Sequence, residues 1–144
     1  MRFSGRTRTI PIVFEGLADP VASGIVPRLN RPNGNITGFG RSEASMGGKW
    51  LELLSEIAPG LKRAAIMFNP DAVLPYLPSF ETAARSLKVV LIPAPVHSDI
   101  EIETAIIALG REPGGGLVVM PDSFMVVHRA PLILAAARNN VPAV

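Results

Sequence analysis

Cysteine is absent from the 144 residues, which excludes disulfide frameworks and thiolate metal sites and leaves the redox compartment open. Long apolar runs are absent as well: none approaches the ~20 residues that cross a bilayer as a helix. The stretch from Met1 to Thr9 carries charge with no apolar h-region behind it, so an export signal is not expected within this chain. Charge of either sign is sparse, at 18% of residues, and 14 basic against 12 acidic side chains leave a net +2. Arg2, Arg6 and Arg8 account for that excess, so nucleic-acid binding is not expected. The two histidines, His97 and His128, lack metal-ligand spacing and read as surface or cap residues.

What is present is apolar. Hydrophobic residues make up 48% of the chain, and a mean hydropathy of +0.33 is too high for a disordered polymer. A domain of this size buries about 70% of its unfolded surface, enough for a real core. It is also rather apolar for a free-standing soluble domain, so part of the surface is expected to face a partner.

Short β-branched runs alternate with helical periodicity, the rhythm of βαβ units. The runs predict strands over Ile10 to Phe14, Asn35 to Gly38, Arg63 to Phe68, Val89 to Pro93 and Gly116 to Met120, with a last one beginning at Val141. They are continuously apolar, as a parallel sheet covered on both faces requires. Between them three stripes repeat at helical spacing: Trp50, Leu53, Leu54 and Ile57; Phe80, Ala83, Ala84 and Leu87; Ile102, Ala105, Ile106 and Leu109. Each is expected to face the sheet. The fold class is therefore α/β, a doubly wound parallel sheet.

Local punctuation agrees. Asp19-Pro20 is an N-cap followed by proline at the first helical position. Pro27 is expected to kink or end that helix, because an interior proline costs ~3 kcal/mol. Ser98 and Glu101 have capping-box spacing, Gly110 stands where a left-handed terminator is wanted, and the last helix is expected to start near His128, ahead of Pro131. Pro32-Asn33-Gly34 and Gly114-Gly115-Gly116 read as turns.

Catalytic motifs are not found. Gly47-Gly48-Lys49 invites comparison with a P-loop, but that motif needs glycine at position 43 and Ser or Thr at position 50, where Glu43 and Trp50 stand. The triple glycine precedes a strand, whereas a dinucleotide fingerprint follows one. Ser123 lacks a nucleophile elbow. No enzymatic activity and no cofactor are expected.

One set of motifs is ordered along the chain: Pro11-Ile12-Val13-Phe14, Ala18-Asp19-Pro20-Val21, Asn33-Gly34-Asn35-Ile36-Thr37-Gly38-Phe39, Gly48-Lys49-Trp50-Leu51-Glu52-Leu53-Leu54, Phe68-Asn69-Pro70-Asp71 and Met120-Pro121-Asp122-Ser123. In this the chain resembles the substrate-binding proteins of ABC transporters of the tryptophan/tyrosine-uptake type, which have the type I periplasmic-binding-protein fold. The resemblance implies two α/β lobes in a protein about twice this length. Residues 9–40 then correspond to a remnant of the first lobe with the crossover, and 41–144 to a second lobe incomplete at its C-terminus. It also implies an extracytoplasmic location, an ABC permease as partner, and a small solute, an amino acid with aromatic types first, held in an interlobe cleft.

In open α/β sheets ligands sit beyond the carboxyl ends of strands, near helix N-termini. The loops at Glu15 to Asp19, Asn69 to Asp71, Pro93 to His97 and Pro121 to Ser123 qualify. The expected ligand-binding residues are Asp122, Ser123, Asn69, Asp19 and Phe14. An amino acid's carboxylate suits backbone N–H groups and the Ser123 hydroxyl, and its ammonium suits Asp122 or Asp19. Each has a structural reading beside this one: Asp19 as a helix cap, Asn69 as a turn residue, and Phe14, Phe39 and Trp50 as core. The alternative is a ligand-free interaction module that forms homo-oligomers through an exposed sheet edge and apolar helix faces.

Overall fold

A computed structural model describes residues 7–17, 20–21, 24–32, 34–40, 45–71 and 76–144. The chain divides into two units, Met1–Met46 and Gly47–Val144. In the first, strands β1 (Ile12–Leu17) and β2 (Ile36–Gly40) pair in parallel. Ile12 stands opposite Ile36 and Phe14 opposite Gly38. Gly38 has to be glycine, since a Cβ there would drive into the Phe14 carbonyl and ring. Val13 and Phe39 lie on the opposite face, 69% and 74% exposed. Phe39 is thus not core; the described residues of this unit lay nothing over that face.

The helix expected from Pro20 runs through residues 22–23, which lie outside the described ones. The Ile25 N–H donates to the Pro20 carbonyl and the Gly24 N–H to that of Val21, both at 2.9 Å, with Gly24 left-handed at φ 67°. The chain turns at Gly24, ahead of Pro27. The expected cap, Asp19, lies outside the described residues.

The second unit is built on three parallel strands, β3 (Arg63–Phe68), β4 (Val90–Pro95) and β5 (Gly115–Val119), in the order β4-β3-β5. The central strand buries Ala64, Ala65, Ile66 and Met67, which is what coverage of both faces demands. Ala65 and Met67 join Ile102, Ile106, Leu109, Leu117, Leu132 and Ala135 in one apolar cluster. That face is roofed by α3 (Asp99–Gly110) and α5 (Arg129–Arg138). α1 (Met46–Ile57) and α2 (Leu77–Leu87) complete the unit. Leu54 of α1 packs against Gly116 of β5, where a Cβ would come 3.0 Å from a Leu54 methyl.

The stripe of α1 is displaced from expectation. Gly47, Gly48, Leu51 and Leu54 are buried, whereas Leu53 and Ile57 are 47% and 52% exposed. The cause is helix contact: a Cβ on Gly47 would lie 2.7 Å from Ser79 Oγ, and one on Gly48 3.3 Å from the Ser79 carbonyl. The two glycines let α1 settle on α2, which carries Trp50 over Tyr76 with ring centroids 5.0 Å apart. Here the Gly-Gly-Lys run serves packing.

Ser98 caps α3 by accepting from the Glu101 N–H at 3.3 Å, but the reciprocal bond of a capping box is shifted by one residue. Glu101 Oε2 accepts from the His97 N–H at 2.6 Å. Gly110 is not left-handed; it is small because a Cβ would meet the Asn139 carbonyl at 3.0 Å. The left-handed glycine after α3 is Gly114, at φ 83°. Between β5 and α5 an unexpected short helix appears, α4 (Ser123–Val127).

The two borders of this sheet differ. At the β5 border, the Leu117 and Val119 N–H groups donate to the Pro142 and Val144 carbonyls at 2.9 and 2.8 Å, and Ala143 forms a parallel bridge with Leu117. The strand expected from Val141 is represented by this bridge. At the β4 border, Val90 and Val96 donate inward to the Lys62 and Phe68 carbonyls. Alternation therefore turns the amide positions of Leu91, Pro93 and Pro95 outward, and two of these three have no N–H to offer.

Candidate functional site

Three loops of the second unit gather beyond the carboxyl ends of its parallel strands: Asn69–Asp71 after β3, Val96–Ser98 after β4 and Met120–Asp122 after β5. The link between them is Asn69. Its backbone N–H donates to Asp122 Oδ2 at 3.0 Å, its Nδ2 to the Val96 carbonyl at 3.2 Å, and its Oδ1 accepts from the Asp71 N–H at 3.0 Å. The backbone and half-buried side chain of Asn69, with the Asp122 carboxylate, thus tie the ends of all three strands together.

Asp122 is the N-cap of α4, with extended backbone and Oδ1 accepting from the Met125 N–H at 2.8 Å. Both carboxylate oxygens therefore hold backbone amides. Ser123, the first residue of α4, is exposed. Of the five residues expected to bind ligand, Asn69, Asp122 and Ser123 are brought together. Phe14 is half-buried on β1 in the other unit, and Asp19 lies outside the described residues.

Two histidine–carboxylate pairs flank these loops, and composition gave no signal of either. His128 Nδ1 lies 2.5 Å from Asp99 Oδ1, and its ring stacks on Phe124 with centroids 4.1 Å apart. His128 both ends α4 and starts α5, so the pair pins that junction to the first turn of α3. His97 Nδ1 stands 3.3 Å from Glu101 Oε2.

The hydrogen bond from the His97 backbone, aided by its imidazole, holds the Glu101 carboxyl below the usual carboxylate range. A depressed folded-state pKa stabilises above the unfolded value and loses that contribution as pH falls through the folded one. Glu101→Gln is therefore expected to lower the melting temperature slightly at neutral pH. The gap from wild type should close as the pH drops below the Glu101 folded-state value, which thermal melts across an acid series would read.

Against known proteins, the model of the family described as ABC transporter substrate binding protein matches residues 3–144. A curated relative, a tyrosine-binding protein of Clostridioides difficile strain R20291, is 25% identical over 136 residues, which is 93% of this chain and 38% of the relative. A solved ABC domain in complex with L-Trp from Streptococcus pneumonia superposes with a TM-score of 0.75 at 17% identity, a likeness of fold alone. A conserved domain protein from Vibrio cholerae gives 0.74 at 26%. A ligand-free, open substrate binding protein with adhesive properties from Clostridium difficile gives 0.68 at 25%. In each of the three, 95% of this chain is covered but only 46% of the solved chain.

Proposed function

The chain belongs to the ABC transporter substrate binding protein family, and from that premise we propose that it contributes one wall of a site for an amino acid, aromatic types first. The family is one of solute binders and not of enzymes. The observation that carries the reading is the convergence of three carboxyl-end loops on Asn69, at the end of a parallel sheet where ligands of open α/β folds sit. The tyrosine-binding relative supports the solute class.

In the same reading, residues 9–40 are a remnant of one lobe and 41–144 most of the other, and the solute lies in a cleft between lobes. Ser123, Asn69 and Asp122 stand on the wall that the second unit supplies. Delivery to an ABC permease outside the cytoplasm completes the proposed role. No helix among the described residues is long and apolar enough to cross a membrane.

Calorimetric titration of the chain with L-tryptophan, L-tyrosine and L-leucine tests this. The aromatic amino acids are expected to bind about tenfold or more tighter than leucine, the discrimination an apolar pocket gives between side chains of different size. Absence of heat with both aromatics would sink the proposal.

A second reading, self-association without ligand, is favoured by the exposure of Val13 and Phe39 on one face of the β1–β2 pair. The outward prolines of β4 oppose strand pairing at that border, so association would use the apolar face. Sedimentation at rising concentration reads it: a mass fixed at 15.3 kDa excludes it.

A further inference from the structure

We infer that Asp122 and Asn69 are positioning residues and that Ser123 is the side chain of the 121–123 loop that meets the solute. This rests on the solute-binding reading above. Asp122 holds two amides 56 residues apart in the chain, Asn69 and Met125, one on each oxygen, at 3.0 and 2.8 Å. Each oxygen keeps a second lone pair, but a solute ammonium that pulled the carboxylate toward itself would strain both bonds, and a backbone N–H left without an acceptor is costly. Asn69 is engaged in the same way: its backbone N–H, Nδ2 and Oδ1 each hold a partner in one of the three loops.

These five residues, Asn69, Asp71, Val96, Asp122 and Met125, form a clasp in which the end of β3 sets the place of the β4 loop and of α4. Ser123 follows Asp122 directly and is exposed, so the clasp sets where its backbone stands. Nothing bonded within the loop needs the Ser123 hydroxyl, which is what a contact residue on a preorganised wall requires.

The test follows amide hydrogen exchange and L-tryptophan titration in the whole chain carrying Asp122→Ala, Asp122→Asn or Ser123→Ala. Asp122→Ala is expected to speed exchange at both Asn69 and Met125, by about tenfold for the capped amide. Asp122→Asn keeps one carbonyl that caps a helix as well as a carboxylate does; it should restore protection at Met125 and leave Asn69 fast. Affinity is expected to follow the cap, falling in Asp122→Ala and largely recovering in Asp122→Asn. Ser123→Ala should weaken binding with both amides unchanged.

If Asp122→Asn protects Met125 yet loses tryptophan as badly as Asp122→Ala, the charge itself meets the solute and the inference is overturned. Unchanged exchange in Asp122→Ala overturns it too. Should the unmodified chain bind neither L-tryptophan nor L-tyrosine, the solute-binding reading fails with it, whereas the exchange measurements still decide whether the clasp exists.

Discussion

Replacing Phe80 by alanine is expected to cost the second unit ~3–5 kcal/mol, the range for emptying a buried aromatic site. Phe80 is 1% exposed and is among the largest fully buried side chains. Its ring lies under Trp50, with centroids 6.3 Å apart, and against Gly47, where an added Cβ would stand 2.9 Å from the ring. Collapse to fill the gap is blocked because α1 already rests on α2 through two glycines. Urea unfolding followed by Trp50 fluorescence is the direct measurement, since the probe sits on the site. A loss below ~1 kcal/mol would mean that the two helices do not share the packing described.

The opposite insult belongs on the other face of the sheet. A Cβ on Gly115 would lie 2.6 Å from the Leu109 carbonyl, which is backbone, and 3.0 Å from a Leu109 methyl. Gly115→Val is expected to destabilise by ~1–3 kcal/mol or more, because overpacking forces a shift in a rigid neighbour. That neighbour is the last turn of α3, so the shift should register as faster amide exchange at Leu109 and Gly110. Ile102, at the far end of α3 and fully buried, should be less affected. Equal stability of Gly115→Val and wild type would contradict the close seating of α3 on β5.

Much of the second unit is legible in the sequence, for identifiable reasons. Arg63–Phe68 is a strand with the expected limits because a centrally placed parallel strand is apolar throughout and bounded by Lys62 and Asn69. The α2 and α3 stripes agree with the burial of Phe80, Ala83, Ala84, Ile102, Ile106 and Leu109. The α1 stripe misleads, because hydrophobic periodicity gives no weight to glycine, and there glycine is the contact surface. Phe39 misleads in the reverse sense: an aromatic in an apolar run reads as core, yet burial depends on what lies over the strand.

Residue types at the strand ends pointed to Asn69, Asp122 and Ser123, because polar side chains after buried strands face the end of the sheet. Their bonding was hidden. The Asn69–Asp122 bond joins positions 53 apart, a distance over which no local pattern carries information. The cap at Asp122 was visible in principle, as an aspartate ahead of the apolar Phe124-Met125-Val126-Val127. At five residues, α4 is too short to show the periodicity by which helices are read.

The unequal borders of the second sheet bear on how the domain tolerates remodelling. A grafted strand, a swapped segment or a fibril-forming peptide recruited at β4 would find a ledge of carbonyls with Leu91 as its lone outward amide donor, and would forfeit two rungs of the ladder. At the β5 side, where Ala143 bridges Leu117, the outward amide position belongs to Ala143 and not to a proline. Engineered fusions and split reassembly should therefore meet more resistance at the β4 flank.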